Sequence, residues 1–559
     1  MRVLAVEGTA WAASAAVFTS KASEGSSELA SDGVYDEDAD TDSIFIETDA
    51  YQPESGGIDP SEAAEHMRDA IPTVVDAALA EAADRAPDAE PIVDAVAFSR
   101  GPGLGPCLRI VGTAARSLAM TLDVPLVGVN HMVAHLEIGR HQSGFDSPVC
   151  LNASGANAHV LGFHDGRYRV LGETMDTGVG NSIDKFTRHV GWSHPGGPKV
   201  EEAANDGEYT DLPYVVKGMD FSFSGIMSAA KQAYDRGVPV EDVCYSLQET
   251  IFAMLTEVAE RALSLTGSDE LVLGGGVAQN ARLREMLAAM CEQRGADFFA
   301  PEPRFLRDNA GMIAVLGATM YEAGDTIEIE DSRIDSDFRP DQVPVTWREG
   351  ESVARVPTSD GDVGDELRGA EATVEIEADR VVKRRVPKRY RHPDLDERLR
   401  RQRTTLEARL TSEARRHGVP TPLVRDVDPR EATIVFEHVG DADLQADLTV
   451  DRARAVGRHL AALHGAGMVH GDPTTRNVRV DLADGPGGDG VYLIDFGLGF
   501  YTDAVEDYAM DLHVFAQSLD GTADDPAAMR AAVEDGYADA GDDAVIEQLR
   551  EIESRGRYR

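Results

Sequence analysis

Residues 94–122 read DAVAFSRGPGLGPCLRIVGTAARSLAMTL, and this stretch indicates the fold class of the first half of the chain. Asp94–Ser99 is an apolar run typical of a buried strand, and Arg100–Pro106 has the glycines and prolines of a turn. The apolar spacing from Arg109 to Leu122 then predicts a helix. Strands and helices alternate in this way to about residue 325, which predicts an α/β domain.

The beginning of the chain fits the same pattern. Apolar residues predict a strand over Arg2–Glu7, and a second strand follows it. Residues 22–43 are small, polar and acidic, which predicts a solvated loop ahead of a strand at Ile44–Thr48. Asp59-Pro60 is a helix-start signal, and it predicts a helix from Pro60 to Ala86.

The length of 559 residues exceeds what one ordinary core holds, so the chain has two or more domains. Residues 326–350 are acidic and irregular and contain two prolines, which predicts a linker there. We therefore predict one domain over residues 1–325 and a second over residues 351–559. The second begins with strands, continues through an arginine-rich helix that ends near His417, and is mostly helical afterwards.

The charge composition is strongly acidic, with a formal net charge of −46 and lysine at only seven positions. The acids are spread along the whole chain, which favours a cytosol of high salt, because hydrated carboxylates stay soluble there. The four cysteines form no CxxC pair, which indicates thiols in a reducing compartment and a cytoplasmic protein. No apolar run is long enough to span a bilayer, so we expect no membrane association.

A pair of histidines is the metal candidate of the first domain. His131 and His135 lie four apart in NHMVAH, which places both imidazoles on one face of a helix. A third ligand is needed, and Asp308 in RDNAGMIA is a candidate. Imidazole plus carboxylate suits iron, zinc or manganese, and we expect iron, with zinc as the alternative. The motif lacks the glutamate of HExxH and so lacks the usual hydrolytic base.

Three glycine-rich turns indicate a nucleotide site. They are Glu7–Ala10, Ser154–Asn157 and Gly274–Gly276, and each follows or joins apolar strands. Such turns expose backbone N–H groups to an anion. Within residues 1–325, neither a Walker A motif nor a GxGxxG fingerprint is present, which disfavours the P-loop and Rossmann classes for this domain.

Eight segments in order make the first domain resemble the universal tRNA threonylcarbamoyladenosine-synthesis family. They cover essentially all of residues 1–325 and read VLAVEGTA, SRGPGLGPCLRIVGTAARSLA, GVNHMVAHLE, LNASGANAHV, DKFTRHVGWSHPGGPKVE, DFSFSGI, GGGVAQN and RDNAGMIA. The resemblance implies the fold of actin and sugar kinases (the ASKHA class), with two duplicated α/β lobes and nucleotide between them.

The resemblance also implies a reaction and a set of site residues. The threonylcarbamoyl group would pass from threonylcarbamoyl-AMP to N6 of the adenosine adjacent to the anticodon, in tRNAs that read codons beginning with A. His131, His135 and Asp308 would be metal ligands. The residues expected to contact the adenylate are Asn152, Ala153, Ser154, Gly155, Ala156, Asp184, Gly197, Glu201 and Asn280.

Asn152 departs from the family pattern, which usually has tyrosine at this position, close to the metal. Asparagine can ligate through its carbonyl oxygen, but it does so more weakly than a phenolate. A water or substrate oxygen is the alternative ligand there. We therefore predict Asn152 as a substrate-loop residue and as a weak metal ligand.

The second domain contains two kinase motifs. Residues 470–477 read HGDPTTRN, where Asp472 and Asn477 have the spacing of a kinase catalytic loop, and Ile494–Gly497 reads IDFG. Asp472 would orient or deprotonate the acceptor hydroxyl, while Asn477 and Asp495 would hold magnesium on ATP. Lys383 is the expected phosphate-pairing lysine and Glu407 its helix partner.

This domain is not an ordinary protein kinase. It has about 210 residues, lacks an APE segment, and has Gly369–Ala372 in place of the glycine-rich loop. Together with VVKRRVPKRYRHPDLDERLRRQRTTLEARL and the terminal RGRYR, its motifs resemble the small kinase of the archaeal and eukaryotic KEOPS complex. That implies Mg-ATP at a site including Gly369 and Glu371, and other KEOPS subunits as partners. Pro473 and Arg476 replace the usual leucine and serine, so turnover stays open.

The second domain also contains a strongly basic stretch. Residues 383–416 carry 13 Lys or Arg against 5 Asp or Glu. This excess of basic residues indicates a tRNA-phosphate patch, extended by Arg555, Arg557 and Arg559. The alternatives are a solvated helix face, an ATP-binding surface or an interdomain surface.

The alternative functions for the first domain are a metalloprotease and a non-catalytic scaffold. The missing HExxH glutamate and the glycine turns argue against the protease.

Overall fold

The structure is a computed structural model, and it describes residues 1–20, 42–51, 59–155, 157–164, 166–348, 366–369, 371–482, 490–520, 522–523 and 525–555. Most of the predicted acidic loop, residues 22–41, lies outside the described residues. The chain divides into two compact units. The first comprises Met1–Tyr214 and Phe221–Ala354, and the second comprises Val215–Asp220 and Arg355–Arg559.

Two five-stranded sheets form the framework of the first unit. The first sheet contains β1 (Arg2–Glu7), β2 (Ala12–Thr19), β3 (Ser43–Ala50), β4 (Ala95–Gly101) and β5 (Leu126–Asn130). The second contains β6 (Val149–Ala153), β7 (Ala158–His164), β8 (Arg167–Glu173), β11 (Glu270–Gly274) and β12 (Asp297–Phe299). Two short strands, β9 (Val216–Lys217) and β10 (Asp220–Phe221), pair with each other as a ribbon separate from both sheets.

The two sheets have the same topology. The first has the order β3-β2-β1-β4-β5, and the second has the order β8-β7-β6-β11-β12. In each sheet, the first three strands along the chain pair antiparallel in succession. The fourth strand pairs in parallel with the first, and the fifth pairs in parallel with the fourth. The unit is therefore built from two copies of one α/β plan, which explains the repeated strand-to-helix turns in the sequence.

Ten helices accompany these sheets in the described part of the first unit. They are α1 (Pro60–Arg85), α2 (Gly105–Leu122), α3 (His131–Ser143), α4 (Val179–His189), α5 (Gly197–Ala204), α6 (Ser224–Asp235), α7 (Val240–Thr266), α8 (Ala281–Arg294), α9 (Pro303–Leu306) and α10 (Ala310–Glu322). The predicted start of α1 is confirmed, because Asp59 Oδ1 accepts hydrogen bonds from the backbone N–H groups of Ser61 and Glu62.

Helices α3 and α10 lie in one core cluster with strands of both sheets. Close packing needs glycine at two places on them. A Cβ on Gly139 of α3 would lie 2.2 Å from the side chain of Val272 in β11, and one on Gly317 of α10 would lie 2.4 Å from Cβ of Ala97 in β4. This packing fixes the ends of both helices, where the metal candidates lie.

The prediction of a linker at 326–350 is wrong for residues 326–348, which pack on the first unit. The backbone N–H of Ile327 donates to the carbonyl of Leu126 at 2.8 Å, and Phe338 and Val343 are buried in the core. The acidic residues face solvent between these apolar anchors, so the stretch has the composition of a linker but is structured.

The second unit is an α+β arrangement. Its largest sheet has the order β13-β14-β15-β17-β16, formed by β13 (Glu366–Arg368), β14 (Ala372–Ile376), β15 (Arg380–Arg385), β16 (Val424–Asp428) and β17 (Thr433–Glu437). Short strands make two further ladders, namely β18 (Ala442–Asp443) with β20 (Val478–Val480) and β21 (Val491–Leu493), and β19 (Met468–Val469) with β22 (Phe500–Tyr501).

Five helices belong to the described part of this unit: α11 (Pro393–Arg416), α12 (Val450–Gly465), α13 (Val505–Asp520), α14 (Pro526–Ala538) and α15 (Asp543–Arg555). The expectation of a mostly helical remainder after His417 is thus only partly right, because seven short strands occur there as well. Strands of two or three residues are too short for an alternating pattern to be recognised. No helix in the described ranges combines the length and hydropathy needed to cross a bilayer.

Candidate functional site

The two histidines of the metal candidate lie on the first turns of α3. Asn130 caps this helix, since its Oδ1 accepts hydrogen bonds from the N–H groups of Met132 at 3.0 Å and Val133 at 3.1 Å. His131 and His135 are one turn apart, and their ring centroids lie 4.9 Å from each other. The spacing in the sequence therefore predicted correctly that both imidazoles share one face.

Asp308 joins the two histidines from the loop ahead of α10. Its Oδ1 lies 3.3 Å from Nε2 of His131 and 3.3 Å from Nε2 of His135. One ligand atom from each of the three residues lies within 4.8 Å of the other two. Asn309 caps α10 by accepting from the N–H of Met312, which fixes the loop that carries Asp308.

Glu7, at the end of β1, is a site residue that the sequence reasoning missed as such. Its side chain is fully buried, and its Oε2 lies 3.4 Å from Nδ1 of His131. Its Oε1 accepts a hydrogen bond from the N–H of Thr9 at 2.9 Å, so the carboxylate is held in place. A carboxylate beside Nδ1 favours a proton there and leaves Nε2 facing Asp308. A glutamate within an apolar strand was the signal for such a role.

The charges in this cluster are strongly coupled. Burial disfavours the charged form of His131, but the carboxylates of Glu7 and Asp308 outweigh it and raise its pKa to about 10. Burial lowers the pKa of His135. Burial alone would raise the pKa of Asp308, yet the two histidines hold it well below its usual range. Asp308 is therefore an anion at any physiological pH.

The donor atoms in this place fit a metal ion. Oδ1 of Asn152 is buried and has no hydrogen-bond partner among the described residues. Buried polar atoms without partners are few in native proteins and each needs an explanation. Two imidazoles, one carboxylate and one amide oxygen are a ligand set suited to iron or zinc.

Asn152 lies in β6 next to the glycine turn after β11. A Cβ on Gly275, whose φ is +87°, would come within 2.5 Å of Oδ1 of Asn152 and within 2.3 Å of the carbonyl oxygen of Ala153. Only glycine permits this close approach. A Cβ on Gly274, the last residue of β11, would lie 3.8 Å from both Oδ1 of Asn152 and Cβ of His135, so the predicted adenylate loop begins beside one of the metal candidates.

The predicted adenylate residues are linked by successive contacts. The carbonyls of Ser154 and Gly155 accept from the N–H groups of Gly180 and Asn181 at the start of α4. Asp184 Oδ1 accepts from the N–H of Gly196, directly before Gly197 begins α5.

Two further predicted residues continue this series. Glu201 Oε1 accepts from the N–H of Ala281 at 2.9 Å. Asn280 caps α8 and donates to Oε1 of Gln248 at 3.1 Å. The structure thus brings eight of the nine predicted residues into one contact series, while Ala156 lies outside the described residues.

In the second unit, Lys383 lies between two carboxylates. Its Nζ is 2.6 Å from Oδ1 of Asp495 and 2.8 Å from Oε1 of Glu407. Burial would lower the pKa of Lys383, but these two carboxylates raise it. Asp495 has a φ of 62°, a left-handed conformation that is uncommon for aspartate. The structure thus brings Lys383 together with Glu407 and with Asp495, which is 112 residues away in the chain.

A buried arginine that the sequence did not single out extends this cluster. Arg385 donates to Glu407 Oε2 at 2.6 Å and to Glu371 Oε2 at 2.8 Å, and Arg403 donates to Glu371 Oε1 at 2.9 Å. Glu371 is thus occupied by two arginines, while Gly369 is exposed and its N–H donates to the carbonyl of Ala372.

The HGDPTTRN loop is held from inside the unit. Asn477 Nδ2 donates to the carbonyl of Asp472 at 2.8 Å and to its Oδ2 at 3.0 Å. Asp511, buried in α13, accepts from the N–H groups of His470 at 2.7 Å and Gly471 at 2.9 Å. Asp511 was not predicted, because nothing in its local sequence distinguishes it from the other acids of this chain.

Comparison with known proteins was made for the whole chain. The family model "TsaD: tRNA N6-adenosine threonylcarbamoyltransferase" matches residues 41–315. Three relatives share the name "Probable bifunctional tRNA threonylcarbamoyladenosine biosynthesis protein". The chain is 68% identical to that of Haloarcula marismortui over 100% of both chains. It is 70% identical to that of Natronomonas pharaonis and 48% to that of Methanospirillum hungatei JF-1, over 100% of this chain and 99% of each relative.

The chain belongs to the bifunctional tRNA threonylcarbamoyladenosine biosynthesis family. The resemblance inferred from the eight motifs is confirmed, and the relatives include proteins of halophilic archaea, as the acidic composition predicted. The first unit has the α/β fold of the actin and sugar-kinase class, in agreement with its duplicated sheets.

In this member of the bifunctional family, the basic stretch 383–416 is largely engaged in ion pairs. Lys383, Arg385, Lys388 and Arg391 are buried. Further pairs join Arg400 to Asp396 and Arg403 to Glu371. The exposed arginines of the stretch are Arg384, Arg389, Arg401, Arg409, Arg415 and Arg416. Arg557 and Arg559, and the side chain of Arg555, lie outside the described residues.

Proposed function

We propose that the first unit transfers the threonylcarbamoyl group from threonylcarbamoyl-AMP to N6 of the adenosine beside the anticodon in tRNAs that read codons beginning with A. The observation that carries this proposal is the cluster of His131, His135 and Asp308, which lies beside Asn152 at the start of the predicted adenylate loop. The match of the transferase family model to residues 41–315 supports it.

The residues of the cluster would hold one divalent ion, which we expect to be iron, with zinc as the alternative. His131, His135 and Asp308 would be the principal ligands, and Asn152 a weaker one. A bound ion would supply Lewis-acid polarisation of an oxygen of the substrate. Glu7 would keep the ring of His131 turned so that Nε2 faces the ion.

The remaining residues would bind and orient the donor. Threonylcarbamoyl-AMP is a mixed anhydride and already activated, so the transfer needs no protein nucleophile. The protein must place the amine and the acyl carbon in line, which alone is worth several kcal/mol. The backbone of Asn152–Gly155 and the starts of α4 and α8 offer N–H groups for the phosphate. Asp184, Glu201 and Asn280 would fix the nucleoside.

A test of this function uses nucleoside mass spectrometry. Purified tRNA and threonylcarbamoyl-AMP are incubated in high salt with metal-replete and metal-stripped protein and the products are measured. We expect modified adenosine only with the metal-replete protein. His131→Ala and His135→Ala should lower bound metal, measured by elemental analysis, together with product. Full metal occupancy in the double variant would contradict the assignment of the ligands.

The same experiment separates two other functions. A metalloprotease would cleave casein, which we do not expect, because the residues between His131 and His135 include no glutamate to act as a general base. A non-catalytic scaffold would leave tRNA modification intact in a His135→Ala strain. Loss of the modified nucleoside in that strain would exclude the scaffold.

For the second unit we propose a small kinase or ATPase that binds Mg-ATP and regulates tRNA modification together with other KEOPS subunits. Lys383, Asp495 and Asn477 would hold the phosphates and magnesium, and Asp472 would orient the acceptor hydroxyl or water. The contacts among Lys383, Glu407 and Asp495 support this proposal. The missing APE segment favours ATP turnover over phosphorylation of a docked protein.

A further inference from the structure

His159, in β7, has the most unusual surroundings of any histidine not yet given a role. Its side chain is 3% exposed, and neither Nδ1 nor Nε2 has a hydrogen-bond partner among the described residues. An unsatisfied buried polar group destabilises the folded protein. A buried imidazole with two such atoms therefore needs a partner that is not part of the polypeptide, or a role that repays the cost.

The position of His159 in the sheet places it beside the metal cluster. Asn152 in β6 and His159 in β7 are directly opposite each other in the antiparallel ladder. Residues opposite each other in such a pair have their side chains on the same face of the sheet. Asn152 is 5% exposed and its Oδ1 is also unpaired. Two unsatisfied buried polar side chains thus stand next to one another.

The ligand chemistry of imidazole suits His159 to the neighbouring cluster. A neutral imidazole has one nitrogen with a free lone pair, which is the commonest metal-ligating atom of proteins. His131, His135 and Asp308 supply three principal ligands and Asn152 only a weak one, which leaves a place for a stronger donor on an iron or zinc ion.

We propose that His159 is a further ligand of the metal ion held by His131, His135 and Asp308. The inference rests on the metal centre described under Proposed function. The donor atoms of those three residues gather within 4.8 Å, and the ring of His159 is outside that group. Ligation therefore requires the His159 side chain to turn toward the ion when the ion binds.

The test counts ligating histidines in the full-length protein loaded with Co²⁺. A histidine bound to Co²⁺ gives one exchangeable N–H proton with a large hyperfine shift in the proton NMR spectrum. We expect three such resonances in the parent and two in His159→Gln, with Co²⁺ affinity reduced about 10- to 100-fold. His141→Gln, a change at a partly exposed histidine near the other end of α3, is the matched control and should keep three.

A double variant in which the residues at 152 and 159 are exchanged distinguishes loss of a ligand from loss of folding. Asn152→His with His159→Asn returns an imidazole to the same face from the neighbouring strand, and it should restore the third resonance. Thermal unfolding of the metal-free proteins checks that each variant is folded. Two resonances in the parent, or three in folded His159→Gln, would overturn the proposal. Failure of the parent to bind Co²⁺ would instead overturn the proposed metal centre itself.

Discussion

Lys383 Nζ lies 2.6 Å from Oδ1 of Asp495, although 112 residues separate the two in the chain. In the proposed kinase, Lys383 would hold the phosphates and Asp495 the magnesium, so nucleotide and ion must come between these two side chains. Glu407 lies 2.8 Å from the same amine and 2.6 Å from Arg385. Glu407 therefore holds the amine of Lys383 in place even when the contact between Lys383 and Asp495 changes.

Glu407→Gln should weaken ATP binding. The change removes a buried negative charge between Lys383 and Arg385, and breaking such a pair typically costs about 3–5 kcal/mol. We expect a Kd for ATP raised about 10-fold or more and a lower free energy of unfolding of the second unit. Calorimetric ATP titration and urea unfolding measure these effects. Glu397→Gln, at an exposed position of the same helix, is the control and should match the parent.

Asp472→Ala should abolish ATP turnover while ATP still binds. Removing a positioned general base costs about 10²- to 10⁴-fold in rate. The loop should keep its shape, because Asn477 also bonds the carbonyl of Asp472, and Asp511 holds His470 and Gly471. Phosphate release gives the turnover, and nucleotide titration gives the affinity. Turnover equal to that of the parent would show that this loop is not catalytic.

Glu7→Gln should weaken metal binding about 10-fold or more, since a residue that orients a ligating histidine typically contributes that much. Glutamine cannot hold the proton on Nδ1 of His131 as firmly as a carboxylate does. Metal affinity is measured by competition with a chelator, and ¹⁵N shifts of His131 report the ring tautomer. The control is Glu137→Gln. This change also removes a buried carboxylate, but that carboxylate lies on α3 and bonds to Tyr168 and Arg140. An unchanged affinity in Glu7→Gln would contradict the positioning role.

Metal binding should release about one proton at neutral pH. The pKa of His131 is raised to about 10 in the metal-free protein, so at pH 7 its ring carries a proton that the ion must displace. His135 has a lowered pKa, and Asp308 is already ionised, so neither contributes. Affinity should therefore rise with pH up to about 10 and fall as pH drops. Calorimetry in two buffers of different ionisation enthalpy gives the proton count, and a count of zero would contradict the prediction.

Charge reversal at Arg384 and Arg401 should weaken tRNA binding. These two side chains are exposed members of the basic stretch, whereas Arg400 and Arg403 are already paired with carboxylates. Phosphate contacts carry no base information, so the loss should be similar for tRNAs of different sequence and should reduce the salt dependence. Arg68→Glu, on the exposed surface of the first unit, is the control. Parent-like binding at matched salt would show that tRNA contacts lie elsewhere.

Local patterns in the sequence were sufficient for several parts of the fold and site. The four-residue spacing of His131 and His135, the cap at Asp59 and the strand Arg2–Glu7 all depend on neighbours within a turn or a strand. The kinase motifs at Asp472 and Asp495 were also local. Periodicity, capping and motif spacing are properties of the chain itself, which is why they can be read without a structure.

Other features depended on residues far apart in the chain. Acidic composition indicated a linker at 326–350, yet Phe338 and Val343 anchor this stretch to the core of the first unit. Lys and Arg counts indicated an open basic surface, but buried carboxylates pair with many of those side chains. Composition cannot distinguish these cases, because a charged residue has the same letter whether it is solvated or paired.

By itself, the sequence determined the family, the α/β class of the first unit and the two motif sets that carry the chemistry. Only the tertiary structure decided that Glu7 faces His131 and that His159 stands opposite Asn152. Those contacts join β1 to α3 and β6 to β7 through strand register and core packing. The free energy that sets them comes from burying both sheets and α3 in one core, and no local pattern encodes which polar side chains are enclosed there.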